Sequence, residues 1–202
     1  MRGTAGFSYD EKMTILGDLG EKNRVAVFID GSNLYHRLKE LSFHNTVKFE
    51  YGGLATFLAR KRPLTNASYY VGVVRAKIDD VRGQELRKQQ QRLFQVLNNQ
   101  NLNIRRGYIM SHGDRFYEKG VDVQIAVDLL VGAYEDEYDT AVLLSSDTDL
   151  IPAIKKVRNL GKRVEYVGFS HRPSFALQRH ADISRLLLPE EIAIFQCNEV
   201  LT

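Results

Sequence analysis

The chain has 202 residues, 28 Lys and Arg against 25 Asp and Glu, a formal net charge of +3 and 44% hydrophobic residues. That is enough for one domain with a full apolar core and too little for two, and the small net charge does not by itself mark a nucleic-acid binder. The single cysteine, Cys197, excludes a disulfide framework within the chain and a cysteine-based zinc cluster, the histidines show no paired metal spacing, and no apolar run approaches the roughly 20 residues that span a bilayer.

Residues 1–23 are glycine-containing and of mixed charge, and are expected to form a flexible N-terminal arm. They lack the long apolar core of a signal peptide, so a reducing, cytoplasmic setting is expected. The domain is placed at 24–188 and a C-terminal tail at 189–202. From residue 24 onward apolar bursts alternate with helical patterns. "RVAVFI" reads as a buried strand, "LYHRLKELS" and "YGGLATFLARK" as helices, and "ASYYVGVV" as the next strand.

Residues 82–99 carry Leu86, Leu93 and Leu97 in one stripe, with Arg87, Lys88 and Arg92 off it, which predicts an amphipathic helix with a solvated basic face. "LNIRRGYIM" is a strand whose Arg105 and Arg106 must point to opposite faces. "SHGDRFYEKG" reads as a rim loop and "VDVQIAVDLLVGAY" as a helix. "TAVLLSS" is a strand, "LIPAIKKVRNL" a helix stopped at Gly161, and "RVEYVGF" a fifth strand. "SFALQRHA" and "ISRLLL" close the domain as a helix and a short extended piece.

Strands separated by helices require parallel crossovers. The expected fold is therefore α/β: three layers, with helices on both faces of a mainly parallel sheet of about five strands. Right-handed crossovers put the strand C-termini on one edge, where ligands bind near the point of reversed strand order. The two most apolar strands both run into acid there: "VAVFI" into Asp30, and "AVLLSS" into Asp147 and Asp149. Asp122, at the start of a helix that follows a strand, belongs to the same edge.

Carboxylates crowded together repel and raise one another's pKa unless a cation is present. An oxygen-only ligand set, Asp30, Asp122, Asp147 and Asp149, selects Mg²⁺ or Mn²⁺. Such an ion supports hydrolysis of a phosphodiester. Each residue has a plainer reading. Asp149 precedes "LIP", where an N-cap is expected, and Asp122 suits a first helical turn. Asn33 either caps the "LYHRLKE" helix or orients Asp30. Ser145 and Ser146 are phosphate donors or merely turn the chain. Asp128 lies around the helix from Asp122 and reads as a solvated or locally paired acid.

"VFIDGSNLY", "KGVDVQIAVDLL", "YDTAVLLSSDTDLIPAIKKVRNLGKRVEYVGF" and "ALQRHADISRLL" together resemble the NYN domain, a PIN-like nuclease fold, in its LabA-like branch. The resemblance implies a parallel sheet, an acidic metal site and ribonuclease-type activity. By motif, Asp30 matches the first acid and Asn33 its companion, Asp122 the acid of "KGVD", and Asp147 and Asp149 the S-x-D-x-D pair. Ser146 stands where the family's usual form has glycine.

An RNA substrate, single-stranded in this reading, needs cations near the acids. Arg75, at the end of a strand, and Arg115 and Lys119, in the rim loop, are the candidates. A binding module with the same pocket and no turnover is the alternative. An aspartyl-phosphatase reading of "LLSSDTDL" is weakened by Ile151 where a threonine is usual, and a dinucleotide fold by the missing glycine-rich loop. Pairing of an exposed sheet edge makes a homodimer a further expectation.

Overall fold

The computed structural model describes residues 23–74, 80–112 and 115–196, with the backbone alone given for 108–112 and 115–118. Its elements in order are β1 (Val25–Asp30), α1 (Gly31–Glu40), a 3₁₀ turn (Thr46–Lys48), α2 (Tyr51–Ala59), β2 (Leu64–Val73), α3 (Val81–Asn99), β3 (Asn103–His112), β4 (Arg115–Lys119), α4 (Val121–Tyr134), β5 (Thr140–Leu144), a second 3₁₀ turn (Thr148–Leu150), α5 (Ile151–Asn159), β6 (Arg163–Phe169), α6 (Phe175–His180), β7 (Ile183–Leu187) and α7 (Pro189–Ala193).

The seven strands form one sheet in the order β4-β3-β2-β1-β5-β6-β7. Six are parallel, and β4 alone runs antiparallel to β3. The five strands expected from sequence are all present, and two more extend the edges. β4 lies in the segment read as a rim loop, because a hairpin strand of mixed charged and aromatic residues carries no apolar alternation to betray it. β7 is the piece read only as extended, and it pairs with β6.

Every residue of β1 is buried. Val25, Val27 and Ile29 face a core shared with α1, α2, α3 and α7, whereas Ala26 and Phe28 face one shared with α4, α5 and α6. This two-sided burial is why the strand is apolar without alternation. The segment set aside as a tail is in its first half part of the domain. Ile192 and Phe195 are buried, and Phe49 bridges Gln196. Arg105 and Arg106 diverge as expected: Arg105 reaches Asp128 at 3.2 Å, and Arg106 lies over the Phe94 ring at 5.1 Å.

From β1 the chain winds outward through β2, β3 and β4. It then returns to the other side of β1 for β5, β6 and β7. Strand order thus reverses between β1 and β5, which pair from Val25↔Thr140 to Ile29↔Leu144. A crevice opens beyond the carboxyl ends of such a pair.

Candidate active site

Asp30 is the last residue of β1 and the N-cap of α1, and only 6% of it is exposed. Its Oδ1 accepts the Asn33 backbone N–H at 3.0 Å, and its Oδ2 accepts the Ser145 hydroxyl at 2.7 Å. The apolar strand ends on acid because that acid starts the next helix, where a negative group suits the helix dipole. Gly31 follows at once. A Cβ there would stand 2.4 Å from the Tyr69 ring and 2.5 Å from the Tyr70 carbonyl, so only glycine lets α1 begin this close to β2.

On β5's side, Ser145 is buried, and its Oγ also accepts the Asp147 N–H at 3.1 Å. One hydroxyl therefore couples the acid of β1 to the turn that carries the second. Asp147 caps the 3₁₀ turn before α5, with Oδ1 accepting the Asp149 N–H at 2.9 Å. The cap expected of Asp149 is thus supplied by Asp147, because the 3₁₀ turn moves the helical start two residues earlier. Asn33 likewise does not cap α1. Its side-chain amide donates to the Ser146 hydroxyl, tying α1 to the β5 turn.

Asp122 enters from a third direction. Gly120, at φ 80°, takes the left-handed turn between β4 and α4 and sets Asp122 in the first helical turn. Burial pushes the Asp122 carboxyl above the usual carboxylate range, and the charges of Asp147 and then Asp149 raise it further. The three acids are thus close enough to repel.

A cleft of about 410 Å³ is lined on one side by Asp30, Asn33, Asp122, Ser146 and Asp147. Asp149 is exposed beside it and Ser145 lies beneath. Lys119 is exposed at the end of β4. Arg75 lies outside the described residues, and of Arg115 only the backbone is described. Asp128 is locally paired, accepting from the Tyr70 hydroxyl at 2.9 Å and the Gln124 amide at 2.7 Å.

Another part of the cleft's lining was missed by sequence reasoning. It consists of His36, Arg37 and Glu40 from α1 and Arg172 from the loop after β6. Arg37 Nη1 donates to both Glu40 oxygens at 2.8 and 2.7 Å, and Arg172 Nη1 and His171 Nε2 each reach Glu40 at 3.1 Å. Arg37 chiefly, with His171 and Arg172, holds the Glu40 carboxyl below its usual range. Asn33, Arg37 and Glu40 recur at helical spacing, which was the available signal. Nothing local pointed to Arg172, which lies 132 positions from Glu40.

Among the described residues, no three carboxylate, imidazole or thiolate groups already enclose a single ion position. The oxygen-only donor set still fits Mg²⁺, which keeps several waters and is commonly held by one or two carboxylates together with substrate phosphate. Zinc, which prefers nitrogen and sulfur ligands in a closed set, fits poorly.

The class defined here is a three-layer α/β domain with acids gathered where strand order reverses. The sequence model of the NYN domain matches residues 24–187, and the chain belongs to the NYN domain family. It is 39% identical over 62 residues to uncharacterized protein MJ0482 of Methanocaldococcus jannaschii. That stretch is 31% of this chain and spans about a quarter (26%) of the relative's length. Among solved structures, VPA0982 of Vibrio parahaemolyticus, a protein of unknown function, shares the fold with a TM-score of 0.62 at 18% identity, over 82% of this chain and 93% of its own. A T5 5′-exonuclease with bound zinc is a looser match: TM-score 0.44, 15% identity, 74% of this chain and 57% of that one. A likeness that loose says nothing of chemistry. No helix among the described residues is long and apolar enough to cross a membrane.

Proposed function

We propose that the chain is a PIN-like, Mg²⁺- or Mn²⁺-dependent ribonuclease that hydrolyses phosphodiester bonds of single-stranded RNA in this cleft. One observation carries the reading. Asp30, Asp122 and Asp147, from three separate elements, line a single cleft at the strand-order reversal, and Asp122 there is raised by burial first and by its acidic neighbours as well. Family membership supports it. Asp30, Asp122 and Asp147 would hold the cation, with Asp149 beside them. When bound, the ion supplies charge stabilisation at the phosphoryl oxygens and acidifies water.

The residues of the chain do the rest. Ser145 and Asn33 fix the orientation of Asp30 and of the β5 turn. Arg37 and Arg172 line the same cleft as the acids, where guanidinium groups suit phosphate oxygens. Glu40 holds both in place. Lys119 extends the positive rim toward the RNA backbone, and Arg75 and Arg115 are proposed to do the same.

The test is cleavage of a labelled unstructured RNA with Mn²⁺, with Mg²⁺ and with EDTA, beside Asp147→Asn. Metal-dependent cleavage that Asp147→Asn abolishes supports the proposal. Among the described residues the carboxylates do not form a closed cage, which favours one second reading: an RNA-binding module without turnover. RNA binding with no cleavage under either metal would establish it instead.

A further inference from the structure

A second depression, of about 320 Å³, lies on the other flank of α1, between that helix, the end of β2 and α3. Its walls are Tyr35 of α1, Tyr69 and Val71 of β2, and Leu86 and Leu93 of α3. The volume falls within the roughly 300–1,000 Å³ typical of small-ligand pockets.

α1 is the partition between the two depressions. Ser32 lines both of them. Tyr35, three residues on, faces the apolar side, whereas Asn33, Arg37 and Glu40 face the acids. Tyr35 is 44% exposed, in contrast to Tyr69 at 2%, so its ring is available to a ligand. Gln90 is committed to the wall. Its Oε1 accepts the Val74 N–H at 2.9 Å, and its Nε2 donates to the Gly72 carbonyl at 2.7 Å. Its neighbour Gln89 is exposed at the mouth, and its side-chain amide lies 3.3 Å from Glu85.

We infer that this depression is a nucleobase subsite. It takes the base of the nucleotide whose phosphate lies in the acidic cleft, stacked on Tyr35, with the Gln89 amide at the base's hydrogen-bonding edge. The inference rests on the ribonuclease reading and narrows its substrate to strands whose bases are free to swing out. Three features argue for a base over another occupant. The cavity is of small-ligand size, it carries a half-exposed aromatic ring of the kind that stacks unpaired bases, and it adjoins a phosphate-seeking cleft through a shared residue.

The experiment is an NMR titration of the full chain with uridine 5′-monophosphate, adenosine 5′-monophosphate and ribose 5-phosphate. Both nucleotides are expected to bind about tenfold more tightly than ribose 5-phosphate and to shift Tyr35, Thr46 and Leu93. Tyr35→Phe should keep that advantage and Tyr35→Ala should erase it. Equal binding of all three ligands would overturn the inference, as would Tyr35→Ala leaving nucleotide affinity unchanged. A second arm separates the two proposals. Base-dependent binding without RNA cleavage removes the ribonuclease and leaves the subsite. Metal-dependent cleavage indifferent to an abasic nucleotide at every position flanking the scissile bond removes the subsite and leaves the ribonuclease.

Discussion

The two ends of β5 carry the same kind of side chain in opposite circumstances. Before the strand, Asp139 accepts the Arg24 backbone N–H at 2.8 Å and two guanidinium nitrogens, and Arg24 and Lys162 also reach Asp136. Arg24, through hydrogen bonds foremost, holds the Asp139 carboxyl below its usual range. At that same end of the sheet Glu165 pairs with Arg62 and Asp182 with Arg158. Beyond the strand, Asp122, Asp147 and Asp149 are not ion-paired with any other described residue, and Asp122 is raised where Asp139 is lowered. Acids that hold the fold together come with their cations, whereas the acids proposed to take a ligand are left near one another.

Substitutions at each end test that contrast. The largest effect is expected at the open end. Asp147→Asn should cut metal-dependent cleavage by about 10³-fold, ~4 kcal/mol of barrier, with the thermal midpoint unchanged. A comparable loss of stability with the loss of activity would mean that Asp147 is structural and would erase the distinction.

Next comes the closed end. Arg62 Nη1 and Nη2 meet Glu165 at 2.6 and 3.0 Å, and Glu165 is buried. Arg62→Ala strands a buried carboxylate and should cost about 3 kcal/mol in urea unfolding, partly recovered when Glu165→Leu is added. A smaller effect is expected from Asp139→Asn, and it depends on pH. The folded pKa of Asp139 is depressed, so its contribution is present above the ordinary carboxylate range and lost as pH falls through the folded value. The stability curves of wild type and variant should lie apart at neutral pH and converge in acid. The smallest effect is at Asp122. Asp122→Asn relieves repulsion, so without added metal its stability should match or exceed wild type by no more than about 0.5 kcal/mol. A clear destabilisation would show that Asp122 has a structural partner.

Much of this was legible in the chain. Continuous apolar runs announced β1 and β5 as doubly covered strands, and a two-sided core left Asp30 and Asp147 as the anomalies to explain. The Leu86, Leu93 and Leu97 stripe announced α3, and its basic residues are solvated as expected. What escaped depends on contacts between distant segments. β7 and α7 are short and owe their structure to packing on a finished sheet, as with Ile192. The cap assignments of Asn33 and Asp149 failed because several neighbouring polar side chains were competent. Only the 3₁₀ turn and the Ser145 bridge decide among them. The Arg37–Glu40–Arg172 wall was hidden because its halves meet only after β6 is in place.

The absence of a side chain at residue 31 has a consequence for recognition. Gly31 seated against Tyr69 and Tyr70, and Asp30 capping the helix it adjoins, set where α1 begins on the sheet. In the proposed complex, the span from the carboxylates to the Tyr35 ring would act as a ruler. A molecule that touched both would need the matching internal spacing, and selection would fall on how far apart its own groups stand.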